Sequence, residues 1–354
     1  MKLFNYIDKD TFEQCVKENY LKVTEHPTEP GLRIINYTKQ CNAEKVWNST
    51  TLRCRGLIVD KDDEIIARPF KKFFNIEEHE LYDFLPKQDE IDKLIGDFDI
   101  SVYDKLDGSL GILYWIGDVP YIATKGAFDS EQALHATELL HTKYRHTWDK
   151  LLRNKTYLFE IIYPQDSHVV KYDDTDDIFL LAVLSTENNF EYPPEVFEEL
   201  FPVVKRYYVK DWKNCREIIN GDNREGFVIR IGELRIKMKY KEYWRLYSLK
   251  AGLSEKHIYQ CLVNDDMTPV NEALELFDEE NVIYYNNLIK KYTSKFGEIT
   301  DKCVEEYRTG FASDKEAAEY FNRCTYPGIM FAIYRGKTDA IRNMTWKYVA
   351  KELK

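Results

Sequence analysis

Seven cysteines, at 15, 41, 54, 215, 261, 303 and 324, include no C-x-x-C pair, and their number is odd. That excludes the ligand spacing of a zinc ribbon or finger and argues against a disulfide framework. Reduced thiols in a cytoplasmic protein are expected, with the last three as packing residues. Positive charge is also scarce: 50 Lys and Arg stand against 61 Asp and Glu, a net charge of −11. A chain with that balance does not coat nucleic acid by charge alone, although a local basic groove remains open to it. No apolar run approaches the length of a bilayer span. The start, Met1-Lys-Leu-Phe-Asn-Tyr-Ile-Asp8, lacks the apolar core of a secretory leader, so no membrane association is expected. No internal repeat and no low-complexity segment is present, which excludes a solenoid. What is plentiful is core material: 44% hydrophobic and 14% aromatic residues, 26 of them tyrosine. With 354 residues, two domains are the default expectation.

The pattern changes character along the chain. Alternating or β-branched runs predict strands at Gly56–Val59, Glu64–Ala67, Ile100–Tyr103, Leu110–Trp115, Tyr121–Thr124, Tyr157–Ile162, Ile178–Leu184, Phe227–Ile231 and Leu234–Met238. Short Gly- or Asp-rich turns between them favour antiparallel pairing. One clear helix is expected in this half, Ser130–Leu152, with Ser130 as its N-cap. From Lys241 onward helices are expected at Ser254–Leu262, Asn271–Phe296, Glu298–Arg308, Ser313–Arg323, Tyr326–Tyr334 and Thr338–Leu353. Ser313-Asp-Lys-Glu316 has the form of a capping box. Ala251-Gly252 interrupts the pattern and Phe277-Asp-Glu-Glu280 carries part of the acidity. The expectation is an α+β chain: an antiparallel-sheet domain over residues 1–248 and an all-α domain over 249–354.

Lys105-Leu106-Asp107-Gly108-Ser109 matches four letters of the K-x-D-G-S signature of covalent nucleotidyltransferases. The flanks place Lys105 in a tight turn between two strands, where Gly108 permits close approach of backbone to ligand. A surface hairpin turn would carry the same Asp-Gly letters. The downstream residues decide between them. Thr124-Lys125-Gly126 ends one strand, and Glu160 and Glu225 each stand at or inside an apolar strand. Lys237 and Lys239, two apart, share a strand face. Each has an ordinary reading in isolation, as an edge carboxylate or a wet sheet face. The order Lys turn, Lys-Gly, Glu strand, Glu-Gly strand, K-x-K makes those ordinary readings poor ones together. Arg68, Lys71, Lys72 and Lys241 add to the positive charge in these same segments.

In these elements the chain resembles the ATP-dependent RNA ligases, within them the RNA ligase 1 group typified by a bacteriophage tRNA-repair enzyme. Motifs I, III, IV and V of the superfamily are carried by Lys105 to Ser109, Glu160, Glu225, and Lys237 with Lys239. Upstream, Cys54-Arg55-Gly56 and Ala67-Arg68-Pro69-Phe70-Lys71-Lys72-Phe73-Phe74-Asn75 match the group's R-G and R-P-x-x-K-F-F-N elements. The resemblance covers the chain from about residue 30 to about residue 270 and thins out beyond. It departs after Tyr163-Pro164, where the group often continues Asn-Arg-Ile-Val and this chain has Asp166-Ser167-His168-Val169-Val170. The arginine's contact is absent or passes to His168 or Lys171.

What the resemblance implies is an adenylyltransferase fold and three steps. Lys105 takes AMP from ATP, AMP passes to an RNA 5′-phosphate, and a 3′-hydroxyl displaces it to seal the strand. It further implies Mg²⁺, with Mn²⁺ as an alternative, held mostly through water by Glu160 and Glu225. Arg55, Lys72 and Lys125 would touch triphosphate or ribose, with Asp107 and Gly108 also at the nucleotide. Phe227 or an aromatic near motif III would stack on adenine, and Asp265 with Asp266 would position a second metal. A loop or helix cap is an equally open reading of that acidic pair. Lys237, Lys239 and the metal are expected to depress the Lys105 pKa and so free the amine. The partner would be RNA bearing 3′-OH and 5′-phosphate ends, such as a nicked tRNA, and the protein a monomer. A DNA ligase or capping guanylyltransferase shares the chemistry, but such chains usually carry an OB-fold where this one is helical. A non-catalytic RNA-binding descendant would not need all five of Lys105, Glu160, Glu225, Lys237 and Lys239.

Overall fold

A computed structural model describes residues 1–166, 168–188, 190–209, 211–243, 246–247, 253–274 and 279–353. Ala251-Gly252 and Phe277-Asp278 lie outside these residues. The chain divides into two compact units, Met1–Tyr243 and Trp244–Lys354. The class is mixed α+β, with antiparallel sheets in the first unit and helices in the second.

The first unit contains three sheets. β1 (Leu21–Glu25), β2 (Arg33–Tyr37), β3 (Arg55–Val59) and β4 (Ile65–Ala67) pair in sequence order. After the short β5 (Phe74–Asn75), the chain enters β6 (Ile100–Lys105), β7 (Ser109–Ile116), β8 (Val119–Ala123), β9 (Lys155–Ile162) and β10 (Asp177–Ser185). The short β11 (Glu191–Tyr192) and β12 (Arg206–Tyr207) precede the hairpin of β13 (Gly226–Ile231) and β14 (Leu234–Lys239). One five-stranded sheet runs β11-β10-β9-β7-β8, the other β12-β6-β13-β14-β5. All pairings are antiparallel except β14 with β5.

β9 explains why the second sheet is so apolar. Tyr157, Phe159 and Ile161 point to one face, where they pack with Ala136 and Leu140 of the helix Glu131–His141. Leu158 points to the other, against Ile112 and Ala182. Among the strand's eight residues Glu160 alone is not fully buried.

Each predicted strand has a counterpart, with ends shifted by one or two residues. The loop between β6 and β7 differs from a hairpin turn, because its two strands belong to different sheets. Leu106-Asp107-Gly108 therefore crosses from one sheet to the other, and the hairpin reading of Asp-Gly falls away. The helix expected at Ser130–Leu152 is shorter. Ser130 caps it as expected, but it stops at His141, and a 3₁₀ turn follows at Arg145–Lys150. There the Thr142 hydroxyl donates back to the Glu138 carbonyl, and the Trp148 indole donates to the Leu140 carbonyl at 3.0 Å. These side chains take the place of the next helical turn.

In the second unit helices span Glu255–Asn264, Thr268–Leu274, Glu279–Glu306, Asp314–Phe321, Pro327–Tyr334 and Thr338–Glu352. Ile258, Val270, Ile299, Phe321, Met330, Trp346 and Val349 form their common core. The two helices expected at Asn271–Phe296 and Glu298–Arg308 would part at Gly297, but Glu279–Glu306 is one continuous helix through that glycine. Tyr292, Ile299 and Cys303 keep a single buried face across that glycine, which outweighs its roughly 1 kcal/mol propensity cost. The box at Ser313 is half formed: Ser313 Oγ accepts from the Glu316 amide, while Glu316 accepts from the amide of Ala312 rather than that of Ser313.

Candidate active site

Between the two five-stranded sheets lies a cavity of about 600 Å³. Lys105 reaches it from the end of β6. Lys237 and Lys239 come from β14, Glu160 from β9, Arg55 from β3, and Lys125 from the turn after β8. The register explains the convergence: Gly226 pairs with both Lys105 and Lys239, and Val228 pairs with both Tyr103 and Lys237. Residues paired directly across antiparallel strands share a face, so both lysines of β14 point the same way as Lys105.

Two glycines make this closeness sterically feasible. Gly226 has φ +151°, and a Cβ there would lie 2.1 Å from the Met238 carbonyl oxygen. At Gly108 a Cβ would meet the Ile161 carbonyl at 2.5 Å and Glu160 Cγ at 2.8 Å. The bare Gly108 amide instead donates to Glu160 Oε1 at 2.9 Å, fixing that carboxylate beneath the loop.

Glu225 is almost completely buried and holds two lysines at once. One oxygen lies 2.6 Å from Lys105 Nζ, the other 2.6 Å from Lys239 Nζ. Burial pushes Lys105 toward its neutral form, but Glu225 and Glu160 outweigh it, and its pKa is raised. Without nucleotide or metal, Lys105 is held as the ammonium. The depressed amine is Lys237, driven well below its ordinary value by burial and then by Lys72, Lys105, Arg55 and Lys239. Lys125 is lowered by burial and Arg55. Burial lifts the Glu160 carboxyl to about 7, with Glu225 adding to the rise against the pull of Lys105. Arg55 Nη1 is buried with no hydrogen-bond partner, which leaves a charged donor free for an oxyanion.

Glu160 presents carboxylate oxygens on the cavity, and Glu225 stands behind Lys105 and Lys239, which line it; such oxygen donors suit a hard divalent cation that keeps much of its own water. Among the described residues, no group of three or more His, Cys, Asp and Glu is arranged to hold a metal by itself.

Three expected residues of the first unit stand outside the cavity. Phe227 is fully buried in the core behind the sheet, packed edge-on to Tyr207 and tilted against Tyr240. Strand alternation turns its neighbour Val228 toward the cavity instead. The Asp107 carboxylate accepts from the amides of Val169 and Val170 at 2.8 and 3.0 Å and from the Tyr243 hydroxyl at 2.8 Å. It braces the loop Leu106-Asp107-Gly108 and does not line the cavity. Lys72 lies in an adjoining cavity of about 170 Å³, its Nζ 5.0–5.7 Å from the ring centres of Tyr37, Trp47 and Phe74. It reaches the main site through its field on Lys237. Asp265 and Asp266 belong to the second unit. Asp265 closes a helix at φ +61° and pairs with Arg342 at 2.9 Å, and Asp266 accepts from the Thr268 amide at 3.1 Å. The helix-cap reading holds for both.

His168 pairs with Asp166 at 3.1 Å, and Asp166 in turn accepts from Ser109 Oγ at 3.1 Å. The segment that lacks the group's arginine is thus tied to the nucleophile loop. Two further cavity residues gave no sequence signal. The β9–β10 register passes from Phe159 with Leu180 to Leu158 with Ala182, a β-bulge whose extra residue, Leu181, lines the cavity. Val204 reaches it from the segment before β12.

The folded chain is similar to several solved ligases. An archaeal ATP-dependent RNA ligase aligns at 12% identity and TM-score 0.45, over 89% of this chain and 86% of its own. A proposed ATP-dependent DNA ligase from Aquifex aeolicus aligns at 16% identity and TM-score 0.45, covering 88% and 86%. A variant of the Naegleria gruberi RNA ligase with ATP and Mn aligns at 15% identity and TM-score 0.38, over 50% of this chain and 58% of its own. A family model described as RNA ligase matches residues 53–245. That span exceeds half of the 354 residues and contains every motif from Arg55 to Lys239. This chain belongs to the RNA ligase family.

Proposed function

We propose that the protein is an ATP-dependent RNA ligase that carries AMP on Lys105. The observation that supports this most is the 2.6 Å pairing of Lys105 Nζ with Glu225 in a cavity that also gathers Arg55, Lys125, Lys237 and Lys239. The adenine lies against Leu181, Val204 and Val228, three of the cavity's apolar residues, and the phosphates lie toward the cations. Lys105 gives up a proton, with Glu225 as the nearest acceptor, and its Nζ attacks the α-phosphorus. The N–P bond forms as the bond to the β-phosphate bridging oxygen breaks, and pyrophosphate leaves among the cations. An oxygen of the RNA 5′-phosphate then attacks the same phosphorus and Lys105 departs as the amine. In the last step the 3′-hydroxyl attacks the RNA phosphorus and AMP leaves.

Mg²⁺, or Mn²⁺ in its place, would be held by Glu160 and Glu225 and would supply charge that offsets the triphosphate. The residues that would do this chemistry all lie in Met1–Tyr243. The helical unit is assigned the choice of RNA, a nicked tRNA being the candidate from the resemblance. Monomeric action in the cytoplasm completes the reading.

The test is incubation with α-labelled ATP and Mg²⁺, followed by denaturing electrophoresis. Label retained on the protein, absent in Lys105→Ala, is expected. Label from GTP but not from ATP would favour a capping enzyme, and no label from either would leave an RNA-binding descendant.

A further inference from the structure

Beside the nucleophile, β12 forms an edge of the sheet that carries Lys105. The strand and its two flanking residues read Lys205, Arg206, Tyr207 and Tyr208, two basic residues followed by two aromatic ones. Arg206 pairs with Tyr103 and Tyr207 with Val102 on β6. Tyr103 shares the face of Lys105, so Arg206 projects on that same side. Strand spacing places the Arg206 backbone roughly 8 Å from that of Lys105.

We propose that this edge holds the 5′-phosphorylated end of a single-stranded RNA, with Tyr208 stacking on a base and Lys205 and Arg206 following the phosphates. Tyr208 is 86% exposed, far more than any other large hydrophobic residue of the described chain. Its ring stands 5.2 Å from the Arg206 guanidinium, which keeps both on one side of the edge. A bare ring flanked by cations is the arrangement with which proteins take unpaired bases, because every base offers a stacking face. The charge fits as well. Lys205, Arg206 and Arg224 face two carboxylates, Asp104 and Glu195, at 3.7 Å from Arg224 and 3.8 Å from Arg206. Lys205 also acts on Asp104 through its charge, and these three cations against two carboxylates leave the group one charge positive in a chain of net charge −11. The backbone continues the link to the reacting end: the Asp104 amide donates to the Lys205 carbonyl at 2.8 Å, one residue before Lys105. An RNA lying here would bring its 5′-phosphate to the side of the cavity lined by Tyr103, Asp104 and Lys105.

The inference rests on the RNA ligase reading, and its test separates the two. Full-length wild type, Tyr208→Ala, Tyr208→Phe and Lys205→Glu would be titrated with a 5′-phosphorylated single-stranded RNA oligonucleotide at several salt concentrations. Self-adenylation and thermal melting would be measured in parallel. Tyr208→Ala should lose about tenfold or more in affinity while Tyr208→Phe keeps it. Lys205→Glu should weaken binding and make its salt dependence shallower by about 0.7 in slope. Melting temperature and self-adenylation should stay at wild-type level in all three. Unchanged RNA affinity in Tyr208→Ala and Lys205→Glu, with self-adenylation intact, would overturn the docking surface alone. A melting temperature several degrees lower in Tyr208→Ala would mean that the ring packs within the protein, and would overturn it too. Wild type that never labels Lys105 would overturn the ligase reading instead.

Discussion

Lys105 and Glu225 are 120 residues apart in the chain, and their Nζ and Oε2 atoms meet at 2.6 Å. The carboxylate's second oxygen meets Lys239 at the same distance. One buried glutamate therefore fixes both Lys105 and Lys239. Without ligands it also holds Lys105 in its protonated form. On the proposed function, a nucleotide and its metal would activate Lys105 by competing for Glu225.

Replacing Lys105 by Ala should abolish self-adenylation, while sealing of an RNA that already carries a 5′-adenylate survives in part. Only the first two steps use the amine. Sealing assays on plain and pre-adenylated RNA check this, and equal loss of both in folded protein would assign Lys105 another role.

Glu225→Ala should cost stability as well as activity. It leaves Lys105 and Lys239 buried without their counter-charge, a loss on the order of 3–5 kcal/mol. Urea unfolding of Glu225→Ala beside Glu160→Ala measures it, with the larger loss expected for Glu225. A Glu225→Ala protein as stable as wild type would show that the two lysines find other partners.

Glu160 gives a pH signature. Its carboxyl is raised to about 7 in the folded chain from an ordinary 4.5, so between those values the folded state binds more protons than the unfolded one. Its contribution to stability is therefore greatest at low pH and is lost as pH rises through about 7. In metal-free buffer, Glu160→Gln should gain on wild type between pH 5 and pH 8, by roughly 1–3 kcal/mol. A stability difference independent of pH would contradict the raised carboxyl.

Asp265→Asn and Asp266→Asn should leave self-adenylation and its Mg²⁺ dependence unchanged. Each replacement removes charge but keeps an oxygen for the cap. The Asp265–Arg342 pair is exposed and worth about 0–1 kcal/mol. A rightward shift of the Mg²⁺ titration in either variant would return these residues to the metal.

Much of this was legible in the sequence because it rests on short-range rules. Alternation disclosed the main strands, and the two-residue spacing of Lys237 and Lys239 placed them on one face. The Lys-x-Asp-Gly and Glu-Gly pairs marked the backbone that only glycine satisfies. What stayed hidden depends on pairing. Phe227 and Val228 are both reasonable neighbours for a base, and only the register with Tyr103 and Lys237 says which one faces the cavity. The bulge at Leu181 leaves no compositional trace. Asp107 reads as a ligand group because its motif is catalytic, yet its three hydrogen-bond donors come from residues 62 to 136 positions away. The lysine's protonation state without ligands depends on a glutamate 120 residues distant, which no local spacing discloses.

The most direct measurement is to incubate the full chain with ATP and Mg²⁺, digest it, and locate the AMP by peptide mass spectrometry. The account predicts one AMP per chain, on Lys105. Lys237 offers a sharp contrast, since it is the amine whose pKa the ligand-free site depresses. AMP on Lys237, or no covalent AMP on the folded protein, would contradict the account.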